Sequence, residues 1–106
     1  MKFLKHLAVV TLSFLFCFSA FADKLKVGFV YVGPVGDHGW TYMHEQGRLA
    51  VKKAFGDKVE TTFIESVKYG PEAETVIRAM ANSGTDLIFA TSFGYMEPML
   101  KVAKEF

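Results

Sequence analysis

Beyond residue 22 the apolar positions follow two periods in turn, and the switches between them divide the chain into strands and helices. Leu25 to Val32 is a nearly unbroken apolar run rich in β-branched and aromatic residues, as in a strand of a sheet covered on both faces. From Gly39 to Phe55 the period lengthens to that of a helix, with Met43, Gly47, Ala50, Val51, Ala54 and Phe55 as the expected buried stripe. Gly56-Asp57 ends it, and Val59 to Ile64 reads as a second strand. Gly70-Pro71 opens a second helix, with Pro at the first helical position and Glu72 and Glu74 where the helix dipole favours negative charge. Ala73, Val76, Ile77 and Met80 form its expected buried stripe, and Gly84 closes it as a C′ residue. Asp86 to Thr91 is a third strand and Tyr95 to Phe106 a third helix.

The order β-α-β-α-β-α predicts an α/β fold in which a parallel sheet joined by right-handed crossovers lies between helix layers. Three strands amount to half of the usual doubly wound layer, so residues 23–106 are expected to be the N-terminal part of a larger α/β lobe.

The first 22 residues have a different pattern, that of a cleaved export signal. Lys2 and Lys5 form a positive start, Leu7 to Phe18 an apolar run of 12 residues, and Ala20-Phe21-Ala22 a small-x-small cleavage site. The run is too short for the roughly 20 residues of a spanning helix. Cys17 follows Phe16, where a lipoprotein signal wants a small residue, and cleavage after Ala22 removes the chain's single cysteine, leaving no thiol or disulfide chemistry. The expected address is therefore the periplasm, as a soluble protein beginning at Asp23. Cleavage also lowers the formal charge from +1 to −1, with 10 basic against 11 acidic residues among the remaining 84. Such a balance lacks the basic footprint of a nucleic-acid binder.

Candidate chemistry gathers in two loops that follow the first and third strands. In a parallel sheet both lie on the carboxyl edge, where ligands bind. The first runs Gly33-Pro-Val-Gly-Asp-His-Gly-Trp40. Its glycines at 33, 36 and 39 match neither a dinucleotide fingerprint nor a phosphate loop, and Pro34 removes a backbone donor. Glu65, near the end of the second strand, would suit a ribose-binding acid, but the glycine pattern fails. Trp40 either covers the sheet edge as core or stands in a cleft, where its position at a helix start after turn glycines places it to stack on a flat ligand. Asp37 either caps the helix or contacts that ligand. His38 and His44 are six positions apart and do not share a helix face, which argues against a metal site. The second loop, Thr91-Ser-Phe-Gly-Tyr95, offers the Ser92 hydroxyl and backbone N–H groups near Gly94, or is an ordinary strand-to-helix turn. No Gly-x-Ser-x-Gly elbow, His-Glu-x-x-His motif or carboxylate pair points to catalysis. No cofactor is expected.

Three segments carry a resemblance: Val27-Gly-Phe-Val-Tyr-Val-Gly-Pro-Val-Gly-Asp-His-Gly-Trp-Thr-Tyr42, Gln46-Gly-Arg48 and Ala90-Thr-Ser-Phe-Gly-Tyr-Met96. In these the chain resembles the basic membrane protein family, the purine-nucleoside-receptor type of ABC-transporter substrate-binding proteins. The resemblance implies a type I periplasmic-binding-protein fold of two lobes that close on the ligand, this chain supplying part of the first. It implies that Trp40 stacks on a purine, with Asp37, Gly39 and Thr41 around it, and that Ser92, Phe93 and Gly94 line the pocket. The nucleoside-binding branch has Asn where this chain has Thr41-Tyr42, and an Asp for the ribose hydroxyls whose nearest equivalent here is Glu97, before Pro98. A free purine base is therefore an alternative to a nucleoside. The implied partners are an ABC permease and its ATPase, with the receptor monomeric at full length. The alternatives are a sensor domain for a membrane signalling partner and an exported α/β enzyme.

Overall fold

The computed structural model describes residues 23–106, so the export-signal reading lies outside the described residues. Three parallel strands, β1 (Leu25–Val30), β2 (Val59–Ile64) and β3 (Leu87–Ala90), form one sheet in the order β2-β1-β3. The helices are α1 (Trp40–Phe55), α2 (Pro71–Asn82) and α3 (Met96–Ala103), the last preceded by a 3₁₀ turn at Phe93–Tyr95. The expected α/β class and parallel sheet are therefore present.

The strand order follows from handedness. The chain moves from β1 to β2 in one direction and returns past β1 to β3 in the other. Right-handed crossovers then put α1 and α2 on opposite faces. β1, the central strand, accordingly feeds two cores. Val27, Phe29 and Tyr31 pack on the α1 side with Val35, whereas Val30 joins Val67, Ala73, Ile77, Met80, Tyr95 and Val102 on the α2–α3 side. The α2 stripe is buried as its spacing predicts, with Val76 packed against it. Pro71 stands at its first position and Gly84 follows its C-cap at φ +86°, a conformation that glycine adopts without strain.

Two expectations need correction. The α1 stripe is not the buried face: Met43 is 65% exposed and Phe55 also lies open, while Thr41, Glu45 and Arg48 are buried. The reason is a polar network. Arg48 pairs with Glu45 through two hydrogen bonds, of 2.8 and 2.5 Å, and donates to Thr61 Oγ1 of β2, while Tyr31 donates to Glu45 at 2.8 Å. The Arg48 guanidinium also lies 4.6 Å from the centre of the Phe63 ring. Three partners outside the helix, Tyr31, Thr61 and Phe63, thus turn the charged side of α1 to the sheet, and the apolar side flanks an open groove with Phe29 and Phe89. β1 and β3 are also shorter than expected, whereas β2 keeps its expected bounds. β1 stops at Val30, since Tyr31 still donates to Ile64 O at the end of β2 but its carbonyl accepts from Val67 N of the loop beyond. From Val27 onward β1 is covered on both faces, as its apolar run predicts, whereas Leu87 and Phe89 of β3 and Phe63 and Ile64 of β2 remain partly exposed.

Candidate ligand site

The helices after β1 and β3 leave toward opposite faces of the sheet, which opens a crevice between the two loops at the carboxyl edge. A cavity of about 350 Å³ occupies it, with Trp40 and Asp37 from one loop, Ser92 and Phe93 from the other, and Tyr69 from the loop after β2. The two loops read as candidates from sequence therefore meet.

Trp40 is not core: its side chain is 62% exposed. Its indole N–H donates to Thr91 O at 2.8 Å, tying the start of α1 to the end of β3, and its ring centre lies 5.0 Å from that of His44. Asp37 caps α1, its carboxylate accepting from the backbone N–H groups of Gly39 (2.8 Å), Thr41 (3.1 Å) and Tyr42 (2.9 Å). These donors, Gly39 foremost, hold its carboxyl below the usual carboxylate range. Capping thus accounts for Asp37, although it also borders the cavity. His38, between Asp37 and Gly39, sits at φ +53°, a left-handed conformation uncommon for a side-chain-bearing residue. Thr41 is 1% exposed and its hydroxyl accepts from Gly33 N–H at 3.1 Å, so it braces the turn. Glu65 accepts from Val35 N–H at 2.7 Å and holds the same turn from the side of β2.

In the second loop Phe93 is 85% exposed and Ser92 shares a 2.6 Å hydrogen bond with the Tyr69 hydroxyl. Gly94 is not among the lining residues. It is the seat of the Tyr69 ring, because a Cβ there would fall 2.5 Å from a ring carbon. Glu97 is not brought to this cavity either. It borders a separate groove between α2 and α3, with Pro71 and Lys101. Tyr95, fully buried, donates to Val67 O at 2.6 Å and fixes the loop that carries Tyr69; burial pushes its hydroxyl up to about 12. Sequence reasoning missed Tyr69. Its signal was topological: the loop after β2 opens on the same edge as the other two. Among the described residues no group of three His, Cys, Asp or Glu side chains is placed to hold a metal ion.

Residues 24–106 match the family described as ABC transporter substrate-binding protein PnrA-like (Bmp). The chain belongs to the Bmp family. Similar proteins include a purine-binding protein of Brucella abortus (strain 2308), 60% identical over 84 residues that are 79% of this chain and 24% of that protein. A candidate ABC transporter glucose-binding protein of Haloferax volcanii is 36% identical over 84 residues, 79% of this chain and 21% of that one. Among solved structures, an ABC transporter solute-binding protein from Conexibacter woesei DSM 14684 superposes with a TM-score of 0.70 at 27% identity, over 77% of this chain and 26% of its own. The described residues thus have a partial periplasmic-binding-protein fold, and the chain spans about a quarter of the length of these relatives. Bmp is a family of solute-binding proteins rather than of enzymes.

Proposed function

We propose that this chain supplies the base-stacking edge of a purine receptor that serves an ABC importer. The observation that carries the reading is the exposed Trp40 indole, held by Thr91 O at the edge of a cavity that Phe93 and Tyr69 also line. A flat, weakly polar ligand gains from such aromatic walls. The Brucella abortus relative, a purine-binding protein, supports the same class of ligand. The position of Glu97, bordering another groove, supports a free base over a nucleoside. In this proposal residues 1–22 direct export and are removed, the mature receptor works as a monomer in the periplasm, and residues 23–106 begin the first of two lobes. Closure of the second lobe over the cavity completes the site and presents the surface that the permease reads. Occupancy of that closed form is passed to the permease and its ATPase, with no chemistry performed on the ligand.

Calorimetric titration of the full-length receptor with adenine and adenosine tests the reading. Stacking contributes on the order of 1–3 kcal/mol per base, so Trp40→Ala is expected to weaken binding roughly ten- to a hundredfold. Trp40→Phe keeps a flat face and is expected to recover most of the loss. An Ala variant with unchanged affinity would refute the stacking role.

A further inference from the structure

We propose that Tyr69 and Ser92 form a reversible hydroxyl couple that reads the edge of the bound base, so that one site accepts both 6-aminopurines and 6-oxopurines. The proposal rests on the purine reading above. Tyr69 comes from the loop after β2 and Ser92 from the loop after β3, and both line the cavity beside Trp40 with their hydroxyl oxygens 2.6 Å apart.

Each hydroxyl carries one proton and two lone pairs. In the couple one proton lies between the oxygens and the other is left over. When Tyr69 donates to Ser92, the free proton is on Ser92 and Tyr69 keeps free lone pairs. When Ser92 donates, the two roles are exchanged. Donor and acceptor thus change places while the heavy atoms stay still. The two classes of purine differ by the same exchange. A 6-aminopurine presents the N1 lone pair beside an amino donor, and a 6-oxopurine presents N1–H beside an oxo acceptor. A carboxamide or a backbone N–H has fixed polarity and would select one class.

Among the described residues that line the cavity, the other polar side chains are already engaged. The Trp40 N–H is taken by Thr91 O, the Asp37 carboxylate carries no proton and caps α1, and Thr41 is buried against Gly33. The Tyr69 ring is held independently of its hydroxyl. It rests on Gly94 and meets Tyr95 edge-on at 5.1 Å and 74°. Removing the hydroxyl therefore leaves the ring in place.

The test is calorimetric titration of the full-length receptor with adenine, hypoxanthine and unsubstituted purine, alongside thermal melts. Adenine and hypoxanthine are expected to bind within about threefold of each other, and both about three- to tenfold more tightly than purine, which lacks one hydrogen bond. Tyr69→Phe is expected to weaken adenine and hypoxanthine equally, by about three- to tenfold, and to leave the melting temperature unchanged. If that variant melts early, Ser92→Ala is expected to give the same equal loss and decides the matter. A wild type that prefers one base by more than about thirtyfold, roughly 2 kcal/mol, overturns the proposal. So do variants that leave both affinities unchanged. Loss of binding in Trp40→Ala without any effect of Tyr69→Phe or Ser92→Ala keeps the purine reading and refutes the couple, whereas a wild type that binds none of the three bases refutes both.

Discussion

The buried ion pair on α1 permits a sharp test of what holds the helix to the sheet. The Glu45 and Arg48 side chains are 11% and 9% exposed, and Glu45 also accepts from the buried Tyr31 hydroxyl. Glu45→Ala would leave the guanidinium against β2 with Thr61 and the Phe63 ring as its remaining partners. Breaking such a pair from one side costs about 3–5 kcal/mol, because an uncompensated charge stays buried. The loss is expected toward the lower end of that range, since a tenth of each side chain reaches solvent. Replacing both, as in Glu45→Leu with Arg48→Met, removes the buried charge but still leaves the Tyr31 hydroxyl without its acceptor, at about 1–3 kcal/mol, so it is expected to recover part of the loss. Urea unfolding of the full-length receptor measures this through the midpoint at constant slope. A Glu45→Ala loss below about 1 kcal/mol, the range of exposed pairs, would refute the reasoning, as would a double variant no better than the single. The pH dependence has a fixed sign. Hydrogen bonding from Arg48 first, and from Tyr31, keeps the Glu45 carboxyl below its ordinary range. Its contribution is full above the unfolded carboxylate pKa of about 4.3 and fades as pH falls through the lower native value.

Three further outcomes are expected. Gly94→Ala forces a methyl group into the Tyr69 ring and is expected to cost about 1–3 kcal/mol and to weaken base binding, seen together in a melt and a titration; an unchanged melting temperature would contradict the packing argument. Residues 23–106 produced alone expose Met43, Leu87 and Phe89, and with whole-domain stability near 5–15 kcal/mol they are expected to bind an apolar dye and to show no cooperative melt, so a sharp transition would count against this. N-terminal sequencing of the exported receptor is expected to start at Asp23, and an acyl chain on Cys17 would overturn the cleavage reading.

Much of the architecture is legible because β1, β2 and α2 each obey one rule. β1 and β2 are β-rich runs, and α2 has an apolar stripe, an N-terminal Pro and a closing Gly84. α1 breaks its rule. Hydropathy assigns Glu45 and Arg48 to solvent, yet their i, i+3 spacing and opposite charge let them satisfy each other beneath the sheet edge, where Tyr31 and Thr61 offer further polar atoms. Trp40, Ser92 and Phe93 could be placed because loop positions in a parallel sheet follow from topology. Glu97 enters through the resemblance, by its place in the first turn of α3, and a place along a helix does not determine which groove a side chain borders. Tyr69 escaped because its loop holds no recognisable motif, only a favourable edge.

The Trp40–Thr91 hydrogen bond spans 51 positions, and the β1–β3 ladder that brings its ends together pairs Val27 with Leu87. In a sheet without hairpins no strand finds its partner locally, so long loops must close before any ladder contact repays the entropy. The site is thus a late product of folding. β1 and α1 emerge from the ribosome long before the strand that holds their indole in place, and the Trp40 N–H bonds to water until β3 has docked. Its fluorescence would act as a clock for that step, reporting the moment when a chain of separate strands becomes a surface able to hold a ligand.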